Sequence, residues 1–282
     1  MIYWGVEEYI FLFGLAFVWT IFAVAQDLKT REILNWLNFS LIAFALAYRA
    51  FYAYFAKDMG FFIYGFFGVL FFVVLAYVFY YGRVFAGGDA KLLMGFGAIL
   101  PYEEISDYFY IGLGFIFLLF LIGALYSLTY SIFLIRRNKS KFSREFKKEI
   151  VKKQGWMYFA IISAAVLELI VFFNDLGLQF SLYGLVIVLL PFLYYYVRTV
   201  EKSCMIVLKW PKELQEGDWL LNDVRIGRKT IKKSVHGLSE EEIKLLRKAK
   251  KKVLIKDGIP FTPSFLIALL VGIWIWSRYF PL

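Results

Sequence analysis

The sequence holds one cysteine and one histidine in 282 residues. A lone cysteine, Cys204, excludes an intramolecular disulfide and any Cys-x-x-Cys zinc or redox site. A lone histidine, His236, excludes a multi-histidine metal centre and argues against a Ser-His-Asp triad. Charge is also scarce: 19% of residues are Asp, Glu, Lys or Arg, against about 25% in soluble domains. No internal repeat is visible. The remaining chemistries must run on carboxylates, lysines, hydroxyls or backbone, with no metal and no cofactor expected.

Apolar residues fill the space that charge leaves. They make up 61% of the chain, 21% being aromatic, and the mean hydropathy is +0.65. Such a composition excludes disorder and a soluble globular domain. A membrane-spanning helix needs about 20 predominantly apolar residues, and stretches at 9–25, 36–56, 60–81, 109–135, 156–173, 180–197 and 263–280 meet that need. An eighth, 90–100, stops at Pro101 and is short for a span. The first is preceded by Glu7 and Glu8 rather than by a basic region, so it does not read as a cleavable signal peptide. The expected fold is an all-α polytopic membrane protein of about eight transmembrane helices, the fourth short, with a small α+β domain before the last.

The net charge of +10 is informative through its distribution. Eight crossings place nearly all of the 32 Lys and Arg on one side, concentrated in 136–153 and 198–262. The opposite loops carry Glu7, Glu8, Asp58, Glu103, Glu104, Asp107 and Asp175. Basic loops stay in the cytoplasm, so 136–155 and 198–262 are expected there. The segment 136–153 reads as a basic connector that meets lipid rather than nucleic acid. In 198–260, the residues 205–210 and 218–226 read as strands, with Gly217 and Gly227 at turns. Ser239 followed by three glutamates reads as a capping-box start for a helix through Lys252, and His236 as a surface residue. The domains are then 1–135 (catalytic helices), 136–155 (connector), 156–197 (two further spans), 198–262 (cytoplasmic domain) and 263–282 (last span).

Charged side chains within spans are costly. Asp27, Arg49, Asp89, Lys91 and Glu168 lie at or within them. Arg49 and Glu168 read as snorkelling or bundle-facing contacts. Asp27 and Asp89 differ, because Asp27 follows the first span, Asp89 opens the short fourth helix, and two spans separate them. Both therefore lie at one membrane face. Gly87 and Gly88 precede Asp89; consecutive glycines there permit left-handed backbone angles and close approach of an extended chain. Paired carboxylates are the minimal apparatus of aspartic hydrolysis, one serving as base to a water and the other as acid to the carbonyl oxygen.

The segments Asp27-Leu-Lys-Thr-Arg-Glu-Ile-Leu-Asn-Trp36 and Gly87-Gly-Asp-Ala-Lys-Leu-Leu93 resemble the two active-site motifs of type IV prepilin peptidases. The similarity is greatest to the archaeal prepilin and preflagellin (pre-archaellin) peptidases, membrane aspartic proteases of the Gly-x-Gly-Asp type. It covers about 21–101 closely and 258–263 more loosely. Here Ala86 stands where the strict motif has its first glycine. The resemblance implies that Asp27 and Asp89 are the catalytic pair. It implies a multi-pass cell-membrane protein whose substrates are preflagellin or prepilin leader segments, cut at the cytoplasmic face. Gly87 and Gly88 would lie against substrate, and Lys91 nearby would contact it or balance charge. Bacterial relatives carry a cysteine-rich zinc segment and N-methylate the product; without those cysteines, proteolysis alone is expected. Two rival readings are a proton-coupled transporter using Asp27, Asp89 and Glu168 as a relay, and a non-enzymatic assembly scaffold acting through 198–260.

Overall fold

A computed structural model of the chain describes residues 7–152, 154–174, 178–227, 229–234 and 236–279. Asp175 and Phe280 therefore lie outside the described residues. The chain divides into two compact units, Met1–Leu128 with Ile259–Leu282, and Thr129–Gly258.

The first unit contains α1 (Glu7–Thr30), α2 (Asn35–Ala56), α3 (Met59–Tyr81), α4 (Gly87–Ile99), the start of α5 (Leu113–Arg137) and α10 (Thr262–Tyr279). A short π-helical stretch, Tyr108–Gly112, leads into α5. α1, α2, α3 and α5 are each long and apolar enough to cross a membrane, and α10 is a shorter apolar helix. At 13 residues, α4 is about 20 Å long, less than the roughly 30 Å of a hydrocarbon core. It compensates by burial: Leu92, Leu93, Phe96, Ala98 and Ile99 are all but inaccessible. A half-length helix is thus surrounded by full-length ones.

Small residues set how closely α4 can be approached. A Cβ on Gly97 would lie 2.5 Å from the carbonyl oxygen of Gly68 on α3, and a Cβ on Gly68 would strike the carbonyl of Gly97. A Cβ on Gly95 would lie 2.7 Å from Leu41 of α2. Without a hydrophobic driving force between helices in lipid, this close backbone packing is what joins them.

Arg49 is a bundle-facing contact rather than a snorkelling one. It is 0% exposed and donates three hydrogen bonds of 2.7 Å, to the carbonyls of Ala98, Phe61 and Leu100. Those carbonyls include ones left open at the C-terminal end of α4, where a cation is favoured. The guanidinium also lies 4.6 Å from the ring centre of Phe61 and 5.4 Å from that of Tyr9.

The second unit contains the rest of α5, then α6 (Lys139–Lys152), α7 (Gln154–Asn174), α8 (Leu178–Val200), α9 (Glu240–Lys248) and five short strands. The connector expected from its charge is helical: Phe142 and Phe146 of α6 face Tyr196 and Phe192 of α8. α7 and α8 are long and apolar enough to cross a membrane. Glu168 of α7 packs where a Cβ on Gly184 of α8 would lie 2.6 Å from its Oε1.

In the small α+β part, β1 (Ile206–Lys209), β5 (Val253–Lys256) and β2 (Trp219–Leu220) form an antiparallel sheet in the order β1-β5-β2. β3 (Val224–Ile226) and β4 (Lys229–Ile231) form a separate hairpin. The expected strand 218–226 is thus two strands in two sheets. The break falls at Asn222 and Asp223, and the Asp223 carboxylate takes the Lys233 N–H at 2.9 Å, turning the chain. Gly217 and Gly227 do sit at turns, with φ of +89° and +56°. The capping box at Ser239 is formed, but α9 stops at Lys248, and Lys250 is left-handed at φ +48°. That early stop frees Val253–Lys256 to become the central strand. Leu220, Ile231, Ile243, Leu246, Val253 and Ile255 form the core, and His236 is on the surface.

Candidate active site

Asp27 lies in the last turn of α1 and is 8% exposed. The chain turns back just after it. The Arg31 N–H reaches the Asp27 carbonyl at 2.9 Å with Arg31 at φ +60°. The Gln26 side chain accepts the Leu34 N–H at 3.0 Å, and α2 begins at the next residue. The basic segment Lys29–Thr30–Arg31 is therefore the exposed rim of a tight helix–helix connection.

Asp89 is in the first turn of α4 and is also 8% exposed. The helix begins at Gly87, capped by extended Ala86, with Ala90 N–H bonded to the Ala86 carbonyl at 3.0 Å. Gly87 and Gly88 are thus the first two helical residues, and neither has a positive φ. This corrects the expectation of left-handed glycines: the left-handed residue of this turn is Arg83, at φ +59°. What Gly88 supplies is room. A Cβ there would lie 3.2 Å from Ile33 Cβ, and the Gly88 carbonyl accepts from Asn38 Nδ2 at 3.3 Å. At Gly87 the nearest atom to an added Cβ would be a Tyr80 ring carbon at 3.7 Å, an ordinary contact. Lys91 is half-buried, and its Nζ donates to Asn35 Oδ1 at 2.6 Å.

The two aspartates meet through a third residue. Thr262, the first residue of α10, is inaccessible. Its backbone N–H donates to Asp27 Oδ2 at 3.2 Å and its hydroxyl to the same oxygen at 2.7 Å; Asp89 Oδ1 lies 3.4 Å from that hydroxyl. Three helix ends converge here, and the N-terminus of α10 points a backbone donor at a carboxylate, as the helix dipole favours. The hydroxyl can donate one proton and accept another. Beside it, Phe85 packs against Phe79, Phe120, Phe261 and Phe265, which keeps this end of the bundle apolar. A Cβ on Gly123 would collide with the Phe261 ring.

Reading the residues in order does not single out Thr262. The signal that was available is its setting, a hydroxyl residue followed by Pro263 at the start of an apolar helix. Other acidic residues of this unit have local duties. Asp58 caps α3 through the Gly60 N–H at 2.9 Å, and Asp107 accepts the N–H groups of Glu103 and Glu104 at 2.8 and 3.0 Å. Among the described residues, no group of His, Cys, Asp and Glu is arranged to hold a metal ion.

Residues 14–128 match the model of the type IV leader peptidase family. A preflagellin peptidase of Methanocaldococcus jannaschii is 34% identical over 79 residues, which is 28% of this chain and 33% of that protein. The chain thus spans about a third of the length of the curated relative it matches. No solved structure matches. The matched segment 14–128, which carries both Asp27 and Asp89, is thus similar to the type IV leader peptidase family.

Proposed function

We propose that this membrane protein is an aspartic endopeptidase that removes the short basic leader from preflagellin- or prepilin-like precursors, with Asp27 and Asp89 as its catalytic pair. The observation that carries the reading is the Thr262 hydroxyl set between the two buried carboxylates. Buried carboxylates need hydrogen-bond partners, and here one hydroxyl lies within reach of both. Asp27 accepts two donors from Thr262, which suits the base. Asp89 faces the oxygen of a hydroxyl whose proton is already given to Asp27, which suits the acid, with its own proton directed to that oxygen.

Hydrolysis then needs only a water and a peptide. Asp27 takes a proton as the water oxygen attacks the scissile carbonyl carbon, and Asp89 gives its proton to the carbonyl oxygen. Collapse of the tetrahedral intermediate breaks the C–N bond. The proton held by Asp27 leaves with the amine, and the intermediate's hydroxyl proton returns to Asp89. No metal enters, and no methyl transfer is expected. The leader would lie extended beside Gly87, where an added Cβ meets nothing closer than 3.7 Å. The reaction faces the cytoplasm in this reading. Its support is the positive-inside distribution of Lys and Arg, together with Lys29, Arg31 and Arg83 in the connections that flank the two aspartates.

The test is direct. Purified protein in detergent, incubated with a preflagellin, should yield a product lighter by the mass of the leader. An unchanged intact mass, with protein that is monodisperse and folded, contradicts the reading.

A further inference from the structure

α6 is polar yet tied to apolar helices at both ends. A single residue, Asn138, separates it from α5, and α7 begins at Gln154. The Asn138 link holds the start of α6 beside the end of an apolar helix. Trp156 and Tyr158, in the opening turns of α7, are 65% and 55% exposed, the aromatic signature of a membrane–water boundary. α6 therefore lies at headgroup level.

Its two faces have different fates. Phe142 and Phe146 stack on each other at 5.4 Å and are turned to α8. The two carboxylates of the helix are occupied: Glu149 is buried and paired with Lys202, and Glu145 is 3.0 Å from Lys148 and 3.6 Å from Arg144. The opposite face carries Lys141, Arg144, Lys148 and Lys152, all exposed. Spaced three, four and four residues apart, they form one stripe along the helix, with Lys147 beside it and Arg136 and Arg137 just before. No aromatic side chain faces outward from α6 to stack on a base, which a single-stranded nucleic acid would use. An anionic surface at close range needs only the cations.

We propose that the exposed face of α6 binds the phosphate headgroups of anionic phospholipids in the protein's own bilayer. Packing of Phe142 and Phe146 against α8 leaves a row of exposed cations for lipid, of which Arg144 and Lys148 also lie beside Glu145. The inference does not depend on the catalytic reading.

The full-length protein, purified in detergent, is mixed with equal amounts of phosphatidylglycerol and phosphatidylcholine, repurified, and its retained lipid counted by mass spectrometry. Each cation held at an anionic surface favours binding by about five-fold, so the wild type should be enriched several-fold in phosphatidylglycerol. The fourfold variant K141Q/R144Q/K148Q/K152Q should lose most of that enrichment, and 0.5 M salt should weaken it in the wild type by screening. A control, K229Q/K232Q/K244Q/K248Q, removes as many charges from the small domain and should keep it. Equal loss in the control would mean that net charge, not α6, selects the lipid, and would overturn the proposal. So would undiminished enrichment in the α6 variant, no enrichment in the wild type, or displacement of the lipid by single-stranded polynucleotide at equal charge. Circular dichroism and gel filtration on both variants separate loss of binding from loss of fold.

Discussion

Thr262 gives its hydroxyl proton to Asp27 at 2.7 Å across a separation of 235 residues. The bond joins the first helix of this unit to its last. It also holds the hydroxyl within 3.4 Å of Asp89, so one side chain fixes both carboxylates relative to each other. In the proposed reaction such positioning is worth rate, because small displacements of reacting groups are costly.

Thr262→Val keeps the shape and removes the hydroxyl. Hydrogen bonds to charged groups contribute about 1.5–3 kcal/mol to stability, so the melting temperature should fall, and with the carboxylates no longer held together cleavage should fall about 10- to 100-fold. Thr262→Ser should recover most of the activity. Steady-state cleavage of a preflagellin by the two variants checks this; a fully active valine variant would remove Thr262 from the account.

Gly87 and Gly88 separate substrate access from packing. An alanine Cβ at Gly88 lies 3.2 Å from Ile33 Cβ and one at Gly87 lies 3.7 Å from its nearest neighbour. Gly88→Val should therefore lower both stability and activity, whereas Gly87→Ala should leave the thermal melt unchanged. If a leader lies beside Gly87, that alanine variant raises KM several-fold. Unaltered KM would place the substrate elsewhere.

Arg49 is expected to carry stability rather than chemistry. Arg49→Met leaves the carbonyls of Ala98, Phe61 and Leu100 without their partner, at a cost of about 3 kcal/mol or more. Lysine, a compact point charge, cannot reach all three in a fork and should recover only part. Gly97→Ala should cost about 1–3 kcal/mol by overpacking, since its Cβ meets the Gly68 backbone. Thermal unfolding in detergent measures each; a wild-type melt for Arg49→Met would contradict the anchoring role of these bonds.

In the proposed mechanism two acids work as one, and the pH profile of cleavage follows from that. At low pH both carboxyls are protonated and no base remains. At high pH both are ionised and no acid remains. Activity should be bell-shaped, with limbs that belong to the pair rather than to either residue. EDTA should leave the rate unchanged. A sigmoidal profile, or loss in EDTA restored by zinc, would point to different chemistry.

The residues differ in how much of their role the sequence discloses. Asp27 and Asp89 stand out because a carboxylate beside an apolar span needs a reason, and their flanking motifs supply one. The long helices are legible from apolar length alone, and the α9 start from the Ser239–Glu242 reciprocity. Thr262 is not legible, because its meaning arises only when helices far apart in sequence meet. Arg49 reads as either a snorkelling or a bundle-facing contact, and backbone carbonyls, its partners, have no sequence signature. The glycines before Asp89 suggest conformational freedom and close approach of a chain, whereas tertiary contact with Ile33 makes small size the relevant property of Gly88. β5 is hidden because α9 ends early at a left-handed Lys250, which helix propensity does not forecast.

The most direct test of the catalytic pair is intact mass of a preflagellin after incubation with the wild type, Asp27→Asn, Asp89→Asn and the double variant. Asparagine preserves size and some hydrogen bonding but can neither take nor give the proton. Each single change should abolish release of the leader, the double change should be no worse, because groups acting as a unit are non-additive, and Asp58→Asn should cleave normally. Substantial leader removal by either single asparagine variant would contradict the account.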